Sequence, residues 1–281
     1  MDNDDVDVND DLPVGRVLGR RQALAILGMS GVVLGATGVA SAGGAAADTR
    51  ARAADCVDCV VKPEMVEGPY FVDEGLNRSD IRSDPSDGTV SAGTTFALGL
   101  RVLRIADGRC TPLPGAVVDV WHCDAAGSYS DIAQEGTSGK KYLRGYQVTN
   151  RAGRVGFTTI LPGWYRGRTV HLHLKVRTTG TDGNPYEFTS QLYYTEEFKA
   201  EYLTADPYAA KGAPDTTNAQ DFIYTGGGAG DQMLLHPHRR GRGYAADFAI
   251  GLDLSDTAVG ADDGNIGGPP PGGPPPADGP A

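Results

Sequence analysis

Two histidines stand one residue apart in Val170-His171-Leu172-His173-Leu174-Lys175-Val176, where apolar residues hold every second position. Strand side chains alternate between faces, so the run reads as a half-buried β-strand that turns both imidazoles the same way. Imidazoles at i and i+2 can bring both Nε2 atoms to one point and chelate a single metal ion. Alone, such a pair is as often a hydrogen-bonded surface feature. Two tyrosines alter that balance: Tyr165, ending the turn Pro162-Gly163-Trp164-Tyr165, and Tyr129, ending the loop after Trp121-His122-Cys123. Each taken singly reads as a structural residue. Phenolate, however, is a hard, strongly donating ligand, suited to iron(III) rather than to zinc or iron(II). Two phenolates with two imidazoles offset much of a trivalent charge and leave a coordination position open. Competing metal motifs are missing. There is no H-E-x-x-H, and Arg177 and Thr178 stand where a cupin-like site would place a glutamate.

The elements that must position these residues are short and closely spaced. Alternation or apolar runs predict strands over Thr94 to Ile105, Pro114 to Cys123, Leu143 to Thr149, Gly153 to Ile160, Thr169 to Val176, Glu187 to Tyr194 and Tyr244 to Leu254. Turn residues separate them, and one short helix is expected around Thr195 to Leu203, with Phe198 and Leu203 facing the core. The fold class is all-β, a sandwich with long loops. His122 reads as a hydrogen-bonded structural group. His236 and His238 flank a proline and read as loop residues, and Met233, Arg239, Arg240 and Arg242 read as solvated surface.

The chain has 281 residues, 40 Gly, 18 Pro and a formal charge of −11, which argues against nucleic acid or an anionic membrane as partner. Arg20 and Arg21 precede an uncharged, weakly apolar run that ends in Ala40-Ser41-Ala42. Residues 1–42 are therefore expected to be a twin-arginine-type export signal, leaving no stable membrane insertion after processing. Residues 43–55 are read as a flexible mature N-terminus, and the Gly/Pro-rich 256–281 as a disordered tail. Cys56, Cys59, Cys110 and Cys123 all follow the leader, and an even number in an exported chain predicts two disulfides, the pairing left open.

Longer stretches carry a resemblance. "LPGAVVDVWHCDAAGSYS", "LRGYQVTNRAGRVGFTTILPGWYRGRTVHLHLKV" and "FTSQLYY" resemble the intradiol ring-cleavage dioxygenases, and "CVVKPEMVEGPYFVD" resembles the opening of their exported branch. The likeness runs from Cys59 to Tyr194, and it makes 56–255 the catalytic domain. It implies a β-sandwich with one iron(III) per chain and, as substrates, catechols and O2, cleaved to cis,cis-muconates. Carried over by position, Tyr129, Tyr165, His171 and His173 are the implied ligands, Tyr165 being the one that leaves to act as base. Arg168 and Gln191 are implied catalytic residues, while Gly68, Pro69, Tyr70 and Trp164 line the pocket. Two departures stand out. The short Tyr165 to His171 connection implies a more open pocket. The helical dimerisation region of cytoplasmic catechol 1,2-dioxygenases has no counterpart, so no oligomeric state carries over. A rival reading remains, because "PLPGAVVDVW" and "TNRAGRVGFTTILPGWY" also resemble transthyretin-like binding modules, which are not enzymes.

Overall fold

The structure is a computed structural model, and it describes residues 59–258. The expected leader, residues 43–55 and nearly all of the tail lie outside the described residues.

Ten strands form two sheets: β1 (Thr95–Ala106), β2 (Arg109–Pro112), β3 (Val117–Trp121), β4 (Arg144–Val148), β5 (Arg154–Ile160), β6 (His171–Thr179), β7 (Pro185–Tyr194), β8 (Leu234–Leu235), β9 (His238–Arg240) and β10 (Gly243–Leu252). In the first sheet the order is β2-β1-β10-β9, with β5 also paired to β1; in the second it is β4-β3-β6-β7-β8. Strand β1 alternates as far as Val102 and changes phase at the buried Leu103; Phe96, Leu98, Leu100 and Val102 are buried. They join Val118, Val120, Leu172, Leu174, Val176 and Leu192 of the facing sheet in one apolar cluster, so the sandwich core is built from the inner faces of both sheets.

The second sheet positions the site. Its middle strand, β6, lies antiparallel between β3 and β7, and register aligns Trp121 with His173 and His173 with Gln191. His171 stands opposite Tyr193, and Lys175 opposite Asp119 and Thr189. Residues paired across strands share a face, so this row faces away from the leucines. The expectation of a half-buried β6 is corrected here. His171 through Val176 are buried on both faces, because loops cover the histidine side as fully as the first sheet covers the other.

The expected helix is α1 (Glu196–Tyr202), capped by Thr195, whose side chain accepts from Phe198 N. A second helix, α2 (Phe222–Thr225), starts from the buried Asp221. Short strands β2, β8 and β9 fall below what periodicity detects. Strand β9 includes His238, read from sequence as loop, and Met233 is fully buried rather than solvated. His122 meets its expectation, with Nδ1 at 2.7 Å from Cys123 O and Nε2 at 2.7 Å from Thr159 Oγ1.

The cysteines depart from two disulfides. Cys59 pairs with Cys110, but Cys123 is free. It lies two residues past the end of β3, within an aromatic cluster, 1% exposed, with its thiol directed at Gly163 O. Cys56 lies outside the described residues.

Candidate active site

Tyr129 and Tyr165 sit on two loops that touch backbone to backbone. A Cβ at Gly127 would collide with Trp164 O, and one at Gly163 with Ala125 O, so glycine is required at both contacts. Gly163 N also donates to Asp124 O. Glu135 fixes the far side of the Tyr129 loop, accepting from Tyr129 N and Ser128 Oγ. The ring of Tyr129 stacks on Tyr70 at 4.4 Å, and Tyr165 meets Tyr70 edge-on at 6.0 Å. Tyr129 is buried at 1% exposure, while Tyr165 as a residue is half-buried.

The two imidazole rings stand at 80° to each other and are held by different contacts. His171 Nδ1 lies 2.7 Å from Thr169 O, which can only accept; the proton is therefore on Nδ1, and Nε2 presents its lone pair. Trp121 stacks flat on His173, with centroids 4.8 Å apart and planes 8° apart. The two Nε2 atoms approach to 3.0 Å, and Tyr165 Oη stands 3.1 Å from His171 Nε2. Tyr129 Oη is buried without a hydrogen-bond partner. Burial, reinforced by Arg168 at His171 and by His171 at His173, pushes both imidazoles well below the usual histidine range. Burial likewise drives both phenols up.

Two neutral imidazoles, one with its Nε2 lone pair free, and an unpartnered phenol form an incomplete polar cluster that a hard cation would complete. No group of three or more His, Cys, Asp or Glu among the described residues could hold a metal, so an ion here must use the phenolic oxygens. Two imidazoles with two phenols fit iron(III).

Behind these four side chains lies a charged pair. Arg168 is buried; its Nε donates to Asp221 Oδ2 at 2.7 Å and its NH2 to Gln191 Oε1 at 2.6 Å. Gln191 Nε2 donates to Val66 O, and Tyr193 Oη donates to Gln191 Oε1. The Arg168–Gln191 pair expected from sequence is thus brought together, and it ties β7 to the segment before Glu67. Asp221 was not anticipated. Its only signal was an acidic residue ahead of the apolar Phe222-Ile223-Tyr224, a helix-start pattern. Tyr193 was also missed, although it is one alternation step from Gln191.

The pocket residues separate. Gly68 and Pro69 are exposed at the rim, and a Cβ on Gly68 would lie 3.7 Å from His173 Cε1. Tyr70 joins the aromatic cluster with Trp121, Tyr129 and Tyr165. Trp164 does not serve as the expected wall. Its indole donates to Gly212 O at 3.0 Å, lies under Lys211 and makes no ring contact with the tyrosines or histidines among the described residues. It anchors the turn to residues 211–221, a strap that also bonds Gly167 N through Asp215 and Thr169 Oγ1 through Asn218.

This chain belongs to the intradiol ring-cleavage dioxygenase family, a family of oxidoreductases: the dioxygenase family model matches residues 66–224. The chain spans about half the length of the curated relatives it matches. Catechol 1,2-dioxygenase of Acinetobacter baylyi is 29% identical over 168 residues, covering 48% of this chain and 51% of that protein. Catechol 1,2-dioxygenase 1 of Acinetobacter lwoffii is 31% identical over 149 residues, covering 49% and 44%. Among solved structures, an intradiol ring-cleavage dioxygenase from Tetranychus urticae matches with TM-score 0.61 and 26% identity, over 70% of this chain and 96% of that one. The dioxygenase domain of a carbohydrate-binding fusion from Streptomyces sp. SirexAA-E matches with TM-score 0.50 and 26% identity, over 69% and 99%. Membership decides against the non-enzymatic module.

Proposed function

We propose that this protein is an intradiol dioxygenase that adds both atoms of O2 to a catechol-type diol, opening the ring between the hydroxyls to a cis,cis-muconate. One iron(III) per chain is held by Tyr129, Tyr165, His171 and His173. The observation that carries the reading is the convergence of the two Nε2 atoms at 3.0 Å beside Tyr165 Oη and the unpartnered Tyr129 Oη. When bound, iron(III) supplies a Lewis acid that gathers both diol oxygens and makes the ring carbon reactive toward O2.

The chain's own groups divide the remaining work. Tyr129, packed under Tyr70 and tied through Glu135, stays in place. Tyr165, half-buried on a turn, is the phenol able to swing aside and take a proton from the diol. Arg168, with Nε on Asp221 and NH2 on Gln191, offers its positive guanidinium to negative charge that develops on the ring oxygens, and Gln191 fixes its angle. Tyr70 forms the wall, while the exposed Gly68 and Pro69 leave the rim open. An open rim suits catechol and 4-substituted catechols at comparable kcat/KM, since a missing wall removes size selection.

The test is direct. Purified protein should contain about one iron per chain and be red-brown from phenolate-to-iron(III) charge transfer, and it should consume O2 with catechol to give the muconate spectrum. Replacing both Tyr129 and Tyr165 with Phe should bleach the visible band. A colourless, fully active zinc protein would sink the reading, as would extradiol products.

Export by the twin-arginine route is part of the same proposal, motivated by Arg20-Arg21 and Ala40-Ser41-Ala42. The Cys59–Cys110 disulfide suits an oxidising compartment, and no helix among the described residues is long and apolar enough to cross a membrane. Lys at both arginines should hold precursor inside the cell; unchanged secretion would refute this route.

A further inference from the structure

The cations around the site are not alike in what balances them. Lys175 is ion-paired with Glu67 and Glu187, and Lys199 with Glu196. Arg144 spends its donors on Ser130 and the Tyr70 carbonyl. Arg168 alone belongs to the set implied in the reaction, and its counter-charge is Asp221, which is 0% exposed. Four donors pin that carboxylate: Arg168 Nε at 2.7 Å, Thr169 N at 2.8 Å, Ile223 N at 2.9 Å and Tyr224 N at 3.0 Å. It cannot turn away, and no solvent screens it. Gln191, which takes the other arm of Arg168, is neutral.

We propose that Asp221 is a positioning and specificity-determining residue: by locking Arg168 into a buried neutral pair, it makes the pocket select neutral diols over carboxylated ones. The inference rests on the intradiol reading and deepens it to a substrate class. A lone guanidinium attracts a ligand carboxylate with an energy that falls as the inverse of distance. A guanidinium cancelled 2.7 Å behind its Nε presents only a dipole, whose pull falls off faster. Such a guanidinium can still donate hydrogen bonds at contact, which is what charge developing on a bound diol requires. A carboxylate on the far side of the ring gains little. The same pair fixes the guanidinium plane, so one residue sets both the aim and the charge of the arginine.

The test compares 4-methylcatechol with protocatechuate, which carry a methyl and a carboxylate at the same ring position. Iron-loaded wild type, Asp221→Asn and Asp221→Glu are titrated with each under argon by calorimetry, and kcat/KM is then measured in air. Wild type should bind protocatechuate no more tightly than 4-methylcatechol. Asp221→Asn leaves Arg168 as a net cation and should shift the ratio of dissociation constants toward protocatechuate by about tenfold or more, a gain that salt erodes. Asp221→Glu should return the ratio toward wild type. A folded Asp221→Asn protein with an unmoved ratio overturns the proposal, and so does a wild type that already prefers protocatechuate tenfold. Should Asp221→Asn not fold, wild type alone decides: its protocatechuate binding should vary less than about twofold between about 50 and 500 mM salt, and a steep loss refutes the neutral pair. The ratio is read without turnover. Failure to form muconate from any diol would therefore count against the intradiol reading, separately from this one.

Discussion

The two faces of β6 are equally buried and entirely unlike. On one, Leu172, Leu174 and Val176 meet the aliphatic inner face of the opposite sheet. On the other, His171 and Lys175 are covered from loops, by Tyr165 and Phe71, while Trp121 at the end of β3 flanks His173. The first face is covered by regular structure, so its side chains need only be apolar and of the right volume. The second face holds polar groups that must each be answered individually, and the answers come from near, as Thr169 O for His171, and from far, as Glu67 for Lys175. Burial by a sheet makes a core. Burial by loops, on the same strand, makes a site.

The largest expected effect lies on the histidine face. His171→Ala should abolish iron retention and the visible band and lower kcat/KM by at least about a thousandfold, because a three-donor remnant no longer matches the ion. Metal analysis and O2 uptake on the same preparation check this. Retained iron with near-normal turnover would show that the face is not the metal site.

The leucine face should respond in the other currency. Leu174→Ala removes a fully buried side chain from the intersheet cluster and should cost about 2–5 kcal/mol of unfolding free energy. Below the midpoint of its urea transition, the variant should still hold iron. A loss of iron in the folded protein would mean that the two faces are coupled more tightly than their separate coverings imply.

The same contrast governs what the sequence revealed. Alternation identified seven strands and the sandwich because period-two burial is written locally. The four converging tyrosines and histidines were legible as donor chemistry, and the family motifs supplied their grouping. What stayed hidden was supplied by loops and by short strands. Asp221 reaches Arg168 across 53 residues, and nothing local to either residue announces the other. Trp164 reads as a pocket wall because it neighbours Tyr165, yet consecutive residues on a turn diverge, and its indole goes to the strap. Met233 looks solvated because it follows a Gly-rich stretch, but the chain returns there to the edge of β7. The second disulfide was inferred from parity, and parity carries no information about where Cys123 points.

His122 sits at the junction of the two sheets. It leaves the end of β3 and reaches Thr159 on β5, and burial lowers its pKa to about 4. The unfolded chain binds a proton near the ordinary value of about 6.5, so between those values the unfolded state holds more protons than the folded one. The stability contribution is complete above about pH 6.5 and is lost as pH falls toward 4, amounting to roughly 3 kcal/mol. Asp119, raised to about 6 by burial despite its partner Arg177, works in the opposite direction. The difference between wild type and His122→Gln therefore isolates the effect. Urea midpoints at pH 7, 5.5 and 4 should show the acid-induced loss shrinking in the variant, and an unchanged pH profile would exclude His122 as its source.

The smallest effect should come from Lys175, the third member of the histidine row. Its ammonium sits 4.2 Å from the Phe71 ring centroid and is ion-paired with Glu67 and Glu187, and so it ties β6 to the segment carrying Gly68, Pro69 and Tyr70. Glu187 is substantially exposed and Glu67 partly so, which places the interaction nearer a surface ion pair than a buried one, at about 1 kcal/mol. Lys175→Met keeps the unbranched stem against Phe71 and removes only the charge. The rim should then hold the diol less firmly while the residues around the metal position are undisturbed. KM should rise about threefold to fivefold with kcat within about twofold, since what is lost is binding shared by ground and transition states. High salt should move wild type part of the way toward the variant and leave the variant itself unchanged. A fall in kcat at constant KM would instead make Lys175 part of the chemistry, and the active face would then extend one alternation step further along β6 than the two histidines.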